Sequence, residues 1–378
     1  MKIKVLLLFA LLPMLLLGQS NPIAKKTNLT GKKVLIVVSS YGKKEGKLRP
    51  GFEFDEYSQA YLIFKANGLH IDVASPKGGP AEADEFNRAK PYNKALLEDK
   101  VAMAKLQQTI PTAKVNPAQY SAIYVVGGKG AMFDLPYDPS LQELISSVYK
   151  KPEGVVAAVC HGPAAFVNVK LEDGSYLIAN RKITGFCNEE EEKFGKTWKA
   201  EFPFLLEDKL KARGAHYERN AAMLPQLTRD GKLITGQNPF STTVLAEEIV
   251  RAVGTEPVSR TLYPDERSIN LVDKYLKGST SWAAEELKKN HGAYDLELIA
   301  VYGYYGLIKG DGSKEGIVSA LGIIELVKPW VSNENLEYEM ARGYLKLDNK
   351  EKAKSILQQV VAKTPSFKEA KNLLEEIN

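Results

Sequence analysis

The sequence predicts an α/β fold, a mostly parallel sheet sandwiched by helices, followed by an all-α unit of helical hairpins. Three observations carry this. Short apolar, β-branched runs alternate with helical stretches from residue 32 to 254, as strands joined by crossover helices should. The runs around Val34–Val38, Ala122–Val126 and Val155–Val159 are unbroken apolar stretches, the mark of strands buried on both faces. Beyond residue 254 no convincing strand pattern recurs, and Ala, Leu and Tyr fall at helical spacing.

Taken in order, Lys32–Ser40, bounded by Gly31 and Gly42, reads as the first strand. A helical pattern from Glu53 to Asn67 stops at Gly68, and Leu69–Ser75 forms the next strand. One helical, charged stretch follows from Tyr92 to Gln108, then a strand at Ser121–Val126 and a helix at Pro139–Tyr149. The apolar run from Gly154 leads through a strand into Cys160 and a further helix. Lys182–Phe186 and Leu233–Thr235 read as strands, and Ser241–Val253 as a helix ended by Gly254. In the tail, Ala341, Tyr344, Ala353, Leu357, Val360 and Pro365 fall on tetratricopeptide spacing, with a weaker unit at Leu298–Pro329. Two such hairpins are fewer than arrays need, so they should pack on each other and on the first domain. The spacing leaves a plain helical extension and a peptide-binding surface equally open.

A chain of 378 residues with 44% hydrophobic and 26% charged residues has the composition of a globular protein of about two domains. We divide it into a signal segment (1–19), an α/β domain (30–254) and a helical domain (255–378). A formal charge of +5, with lysines spread among glutamates, gives no basic stripe and excludes a nucleic-acid partner. Lys2 and Lys4 precede an apolar stretch from Val5 to Leu17 and then Gly18, Gln19, Ser20. This reads as an export signal, placing the mature chain in the periplasm or outside the cell; an uncleaved membrane anchor is the alternative. Only Cys160 and Cys187 are present, so disulfides do not staple the fold.

Ala157-Ala158-Val159-Cys160-His161-Gly162-Pro163 carries a buried strand into a sharp turn flanked by small residues. That is the steric logic of a nucleophile elbow, and the N-terminus of the next helix should favour the thiolate. A cysteine nucleophile needs a base and an oxyanion site. Gly127 and Gly128, after the Ser121–Val126 strand, could offer amides with that of His161. The candidate carboxylates are Glu56 and the run Glu189–Glu192, whose spacing does not say which one turns inward. His70, His161, His216 and His291 show no metal-ligand spacing.

From about residue 32 to 254 the chain resembles the PfpI/ThiJ superfamily, specifically its glyoxalase III and stress-chaperone branch, with the flavodoxin-like fold of class I glutamine amidotransferases. The matching segments are Gly51-Phe52 with Asp55-Glu56, Val73-Ala74-Ser75-Pro76-Lys77-Gly78-Gly79, and Gly127-Gly128-Lys129-Gly130 with Asp134-Leu135-Pro136. Val159-Cys160-His161-Gly162-Pro163, Ile183-Thr184-Gly185-Phe186 and Thr235-Gly236-Gln237-Asn238-Pro239 complete them. The resemblance implies Cys160 as nucleophile, His161 and Glu191 as the rest of a triad, and Glu56 as the proton shuttle beside the sulfur. It implies conversion of methylglyoxal and related 2-oxoaldehydes to 2-hydroxy acids such as D-lactate, without glutathione, metal or organic cofactor. Holding-chaperone, redox-sensor and deglycase roles are the family's alternatives. A glutaminase reading would need a downstream His-x-Glu triad, which only His216-Tyr217-Glu218 imitates. Lys129 stands where many relatives carry histidine, and Cys187 where threonine is common. If the Cβ atoms of Cys160 and Cys187 lay within about 4.5 Å, export would expose the site to closure by a disulfide. A homodimer and a peptide partner for the helical tail are carried as open expectations.

Overall fold

The computed structural model describes residues 31–377. The signal segment expected at residues 1–19 lies outside them. The chain opens with strand β1 (Lys33–Val37), α1 (Phe54–Ala66) and β2 (His70–Ser75). The single helix expected from Tyr92 to Gln108 is two helices, α2 (Pro91–Glu98) and α3 (Lys100–Gln107). Asp99 divides them because its carboxylate accepts from Val101 N–H and Ala102 N–H, capping the second helix. Then come β3 (Ile110–Pro111), β4 (Ala122–Val125), α4 (Ala131–Asp134), α5 (Pro139–Lys150) and β5 (Val155–Val159).

Two expectations fail after β5. The helix behind Cys160 is a single 3₁₀ segment, Gly162–Phe166. The strand expected at Lys182–Phe186 shrinks to β6 (Lys182–Ile183), which pairs only with β7 (His216–Tyr217). Its remainder bends toward the sheet end, where Phe186 N–H donates to Cys160 O at 2.8 Å. Between them lie α6 (Asn188–Phe194) and α7 (Leu206–Ala212); β8 (Leu227–Asp230), β9 (Leu233–Gly236) and α8 (Thr242–Ala252) complete the unit.

The main sheet has the order β3-β2-β1-β4-β5-β9-β8, parallel except for the β8–β9 hairpin. β1, β4 and β5 are central and almost wholly buried, as their unbroken apolar runs require. The chain winds outward from β1 in both directions, so the carboxyl ends of β1 and β4 bound the crevice where such sheets bind ligands.

The tail holds α9 (Pro264–Leu276), α10 (Thr280–Asn290), α11 (Leu296–Lys309), α12 (Lys314–Val327), α13 (Glu334–Lys346), α14 (Lys350–Lys363) and α15 (Lys368–Glu376). Helices α9/α10, α11/α12 and α13/α14 pack as consecutive pairs, with α15 against α14. There are thus three hairpins and a closing helix where the spacing suggested two. Asp295, Ser313, Asn333 and Asn349 cap α11, α12, α13 and α14 through their side chains. Ala341, Ala353, Leu357 and Val360 are buried between α13 and α14. Among the described residues no helix is long and apolar enough to cross a membrane.

Two buried apolar clusters result. One surrounds the sheet; the other fills the helical unit and also takes in Leu224 and, at its edge, Phe240. A polar knot joins the units elsewhere. Tyr92 O–H lies 2.6 Å from Asp265 Oδ2 and 3.1 Å from Asp55 Oδ2, and Lys90 Nζ lies 2.6 Å from Asp55 and 3.5 Å from Asp265. Hydrogen bonds to charged, buried acceptors are worth more than neutral ones, about 1.5–3 kcal/mol. Tyr92→Phe should therefore lower the unfolding free energy by about that amount, read as a shift in urea midpoint; an unchanged midpoint would show that the knot does not hold the units together.

Candidate active site

Three strand ends converge on one point. The loop after β1 returns through Gly51 and Phe52 to start α1, β4 ends in Gly127-Gly128, and β5 ends in Cys160. Cys160 has φ +57°. A non-glycine residue in the left-handed region costs about 1–2 kcal/mol, and backbone bonds on both sides hold this one there. Its N–H donates to Gly236 O at 2.9 Å and its carbonyl accepts from Phe186 N–H at 2.8 Å.

The turn aims the sulfur at His161, whose Nδ1 is 3.4 Å from Sγ. His161 Nε2 lies 2.6 Å from Glu191 Oε1, and both side chains are buried. A carboxylate at Nε2 fixes the proton on that nitrogen and leaves the Nδ1 lone pair facing the thiol. Phe186 and Phe202 hold the imidazole, their ring centroids 4.5 and 5.7 Å from it.

The four-glutamate run divides by partner. Glu189 pairs with Lys193 and Arg219, and Glu192 is exposed beside Lys199. Glu190 and Glu191 turn inward. Glu191 Oε1 meets His161 Nε2. Glu190, which sequence reasoning did not separate from its neighbours, accepts from Met223 N–H, Asn238 Nδ2, Cys187 N–H and Gln237 Nε2 at 2.8–3.2 Å. Burial raises its pKa against the pull of those donors.

Glu56 enters from the first turn of α1. Its Oε2 accepts from Gly127 N–H at 2.6 Å, while Oε1 is buried without a hydrogen-bond partner. A helix N-terminus would ordinarily favour the charged carboxylate by about 0.3–1 kcal/mol. Burial outweighs it here: loss of hydration and then the neighbouring Glu53 push the Glu56 pKa well up. Gly127 must lack a side chain, because a Cβ would sit 2.7 Å from Val159 O, 2.8 Å from Cys160 Cβ and 2.8 Å from Glu56 Oε2. Gly128, at φ +88°, brings its N–H to the Cys160 sulfur.

The thiol's resting acidity runs opposite to the sequence expectation. Burial, then the charges of Glu56 and Glu53, push the Cys160 pKa well above the ordinary thiol value, with the Gly128 amide opposing. A five-residue 3₁₀ segment carries little dipole to counter that. Cys187 is fully buried, and both cysteines are free thiols. Cys187 opens α6, with Glu190 its largest charged influence and Gln237 Nε2 at 3.9 Å from its sulfur.

The site opens into a cavity of about 260 Å³ lined by Cys160, His161, Gly128, Lys129, Glu53 and Glu190 and by the apolar Phe186, Phe194, Met223, Pro239 and Phe240. Glu53 was not singled out in the sequence; burial and Asp55 push its pKa up to about 7. The Glu53–Asp55–Glu56 grouping was its available signal, since three carboxylates in four positions repel. His216, in β7, is exposed and outside this lining, so the glutaminase-like arrangement is not built. Among the described residues no group of His, Cys, Asp or Glu is arranged to hold a metal ion.

Residues 47–252 match the model of the DJ-1/PfpI family. A probable glutathione-independent glyoxalase of Schizosaccharomyces pombe is 30% identical over 259 residues, covering 59% of this chain and 98% of that protein. Glyoxalase 3 of Candida albicans is 32% identical over 235 residues, 58% and 98% of the two chains. Among solved structures, glyoxalase III from Candida albicans superposes with a TM-score of 0.54 at 28% identity, covering 58% of this chain and 97% of its own. The 24 kDa rapid encystment protein of Francisella tularensis gives 0.55 at 32% identity, covering 59% and 99%.

The opposed charges around the sulfur predict a pH signature. The rate of Cys160 alkylation by iodoacetamide should rise with pH only above the ordinary thiol range. Glu56→Gln removes a negative neighbour that penalises the thiolate, so its curve should move to lower pH. An unmoved curve would mean that Glu56 does not face the sulfur.

Glu53 gives a second signature. A carboxyl with a raised folded-state pKa binds more protons folded than unfolded between its ordinary value and about 7, so stability falls as pH rises through that window. Glu53→Gln should flatten this fall in urea midpoints measured from pH 4.5 to 7; an identical slope would place Glu53 in a water-like setting.

Proposed function

The chain belongs to the DJ-1/PfpI family, and from this premise we propose that it is a glutathione-independent glyoxalase converting 2-oxoaldehydes to 2-hydroxy acids by cysteine catalysis. The observation that carries the reading is the continuous line from Glu191 through His161 to Cys160, with the Glu56 carboxyl on the other side of the thiol. Relatives named as glyoxalases support it.

The chemistry follows from where protons can go. His161 Nδ1 takes the thiol proton as the sulfur attacks the aldehyde carbon of R–CO–CHO, forming a C–S bond and a hemithioacetal. Glu191 stabilises the imidazolium so formed. Gly128 N–H lies where charge on the former carbonyl oxygen can be met. A base then removes the hydrogen from the thiol-bearing carbon and the enediol is protonated at the adjacent carbon, leaving a thioester of a 2-hydroxy acid. Glu56, next to the sulfur and with its pKa raised by burial, suits this transfer. Water cleaves the C–S bond, restores the thiol and releases R–CHOH–COOH. The sum is addition of one water with an internal redox shift between two carbons, so no external oxidant or reductant is consumed. Protonation from one face at the second carbon would give a single enantiomer, D-lactate when R is methyl.

Two further parts of the reading rest on sequence. Residues 1–19 serve as an export signal, so the enzyme acts outside the cytoplasm, and the tail is a tetratricopeptide-like array. Methylglyoxal incubated with the full protein and no glutathione should yield lactate. Cys160→Ala should abolish it, while His161→Ala or Glu191→Gln should leave activity lowered about 100- to 10,000-fold. Lactate formation that survives Cys160→Ala would end the proposal.

A further inference from the structure

Besides Cys160, His161 and the polar Glu53, Lys129, Glu190 and Asn238, the cavity is lined by the apolar Phe186, Phe194, Met223, Pro239 and Phe240. Methylglyoxal leaves much of this space unfilled, since five heavy atoms take up on the order of three or four water volumes of about 30 Å³ each, against a cavity of about 260 Å³. With an R–CO–CHO head held at Cys160, these apolar side chains are the part of the lining suited to receive R.

This wall is not held by the sheet alone. Phe194, the last residue of α6, meets Tyr305 of α11 edge to face, with ring centroids 4.8 Å apart and planes at 73°. Phe240 packs against the core of the helical unit, and Leu224, next to Met223, is buried within that core. The 3₁₀ turn that carries Phe240 also packs on α9. Two of the wall residues, Phe194 and Phe240, thus pack on helices beyond residues 47–252, the part that matches the family, and a third, Met223, adjoins a residue buried among them.

We propose that the helical unit completes a substituent pocket in this enzyme, that its preferred substrates are 2-oxoaldehydes bearing a bulky apolar or aromatic group, and that Tyr305 is the positioning residue that holds Phe194 in the pocket wall. The proposal rests on the glyoxalase reading for the reacting head and extends it to the substituent. Aromatic side chains set edge to face, as Phe194 is by Tyr305, favour an aromatic guest in the same manner. Each apolar group taken from water into such a wall adds affinity in proportion to the area it buries. Tyr305 does not itself line the cavity; it acts through Phe194.

The test compares phenylglyoxal with methylglyoxal in steady-state kinetics of the full chain, for the unaltered protein, Tyr305→Ala and Tyr305→Phe. Phenylglyoxal should have the higher kcat/KM by about tenfold or more. Tyr305→Ala should shrink that ratio about three- to tenfold through KM for phenylglyoxal, leave methylglyoxal turnover as it was, and be rescued by Tyr305→Phe. A ratio at or below one in the unaltered protein, or one that Tyr305→Ala does not change, overturns the proposal. Loss of methylglyoxal turnover altogether would instead defeat the reaction assigned above, and the pocket is then decided without turnover. Mandelate should protect Cys160 from iodoacetamide at about tenfold lower concentration than lactate; equal protection overturns the pocket.

Discussion

The left-handed backbone at Cys160 is the constraint on which the rest of the site depends. A cysteine at φ +57° must be held against about 1–2 kcal/mol of local strain, and the fold supplies that from both sides. β9 accepts the Cys160 N–H through Gly236, and the segment before α6 donates Phe186 N–H to the Cys160 carbonyl. The second bond explains why the chain leaves β6 after two residues. It also brings α6 against the sheet end, and with it Glu191 to His161. One backbone conformation therefore orders Cys160, His161 and Glu191 together.

Electrostatics in this site are governed by dehydration more than by dipoles. Glu56 sits in the first turn of α1 and Cys160 at the start of a short 3₁₀ segment, positions that favour negative charge in water-exposed proteins. Both titrate upward here because burial costs each charged form more than the nearby amides return. Two acids facing one another share this penalty, so ionisation of either makes ionisation of the other harder. Both groups are thereby biased toward their protonated forms. A thiol biased toward its neutral form is also less open to oxidation than a standing thiolate.

The helical unit is joined to the α/β unit in two chemically different ways. At one place the join is polar and buried, through Tyr92, Lys90, Asp55 and Asp265. At the other it is apolar and beside the cavity, through Phe194, Leu224 and Phe240. Polar knots need exact partners and so fix orientation, whereas the apolar join sets the shape of the cavity wall. The first keeps the second in register.

Much of this was legible in the sequence. Uninterrupted apolar runs marked β1, β4 and β5, and a cysteine between small residues at the end of one of them marked the elbow, because strand burial and turn sterics are local properties. Family motifs added Glu56 and the choice of Glu191, which spacing left open. Other features depend on distant partners. Nothing near Asp99 announced that it would break a helix in two, and nothing in four consecutive glutamates distinguished Glu190 from Glu191; Met223, Gln237 and Asn238 decide that from elsewhere in the chain. The direction of the Cys160 pKa was misjudged for the same reason: local sequence displays the helix start, while dehydration and facing carboxyls exist only once the strand ends are brought together. The sequence by itself determined which residues could do the chemistry. Tertiary structure alone decided their protonation, and which aromatic groups from two separate cores wall the cavity, because burial and charge proximity are properties of the packed chain.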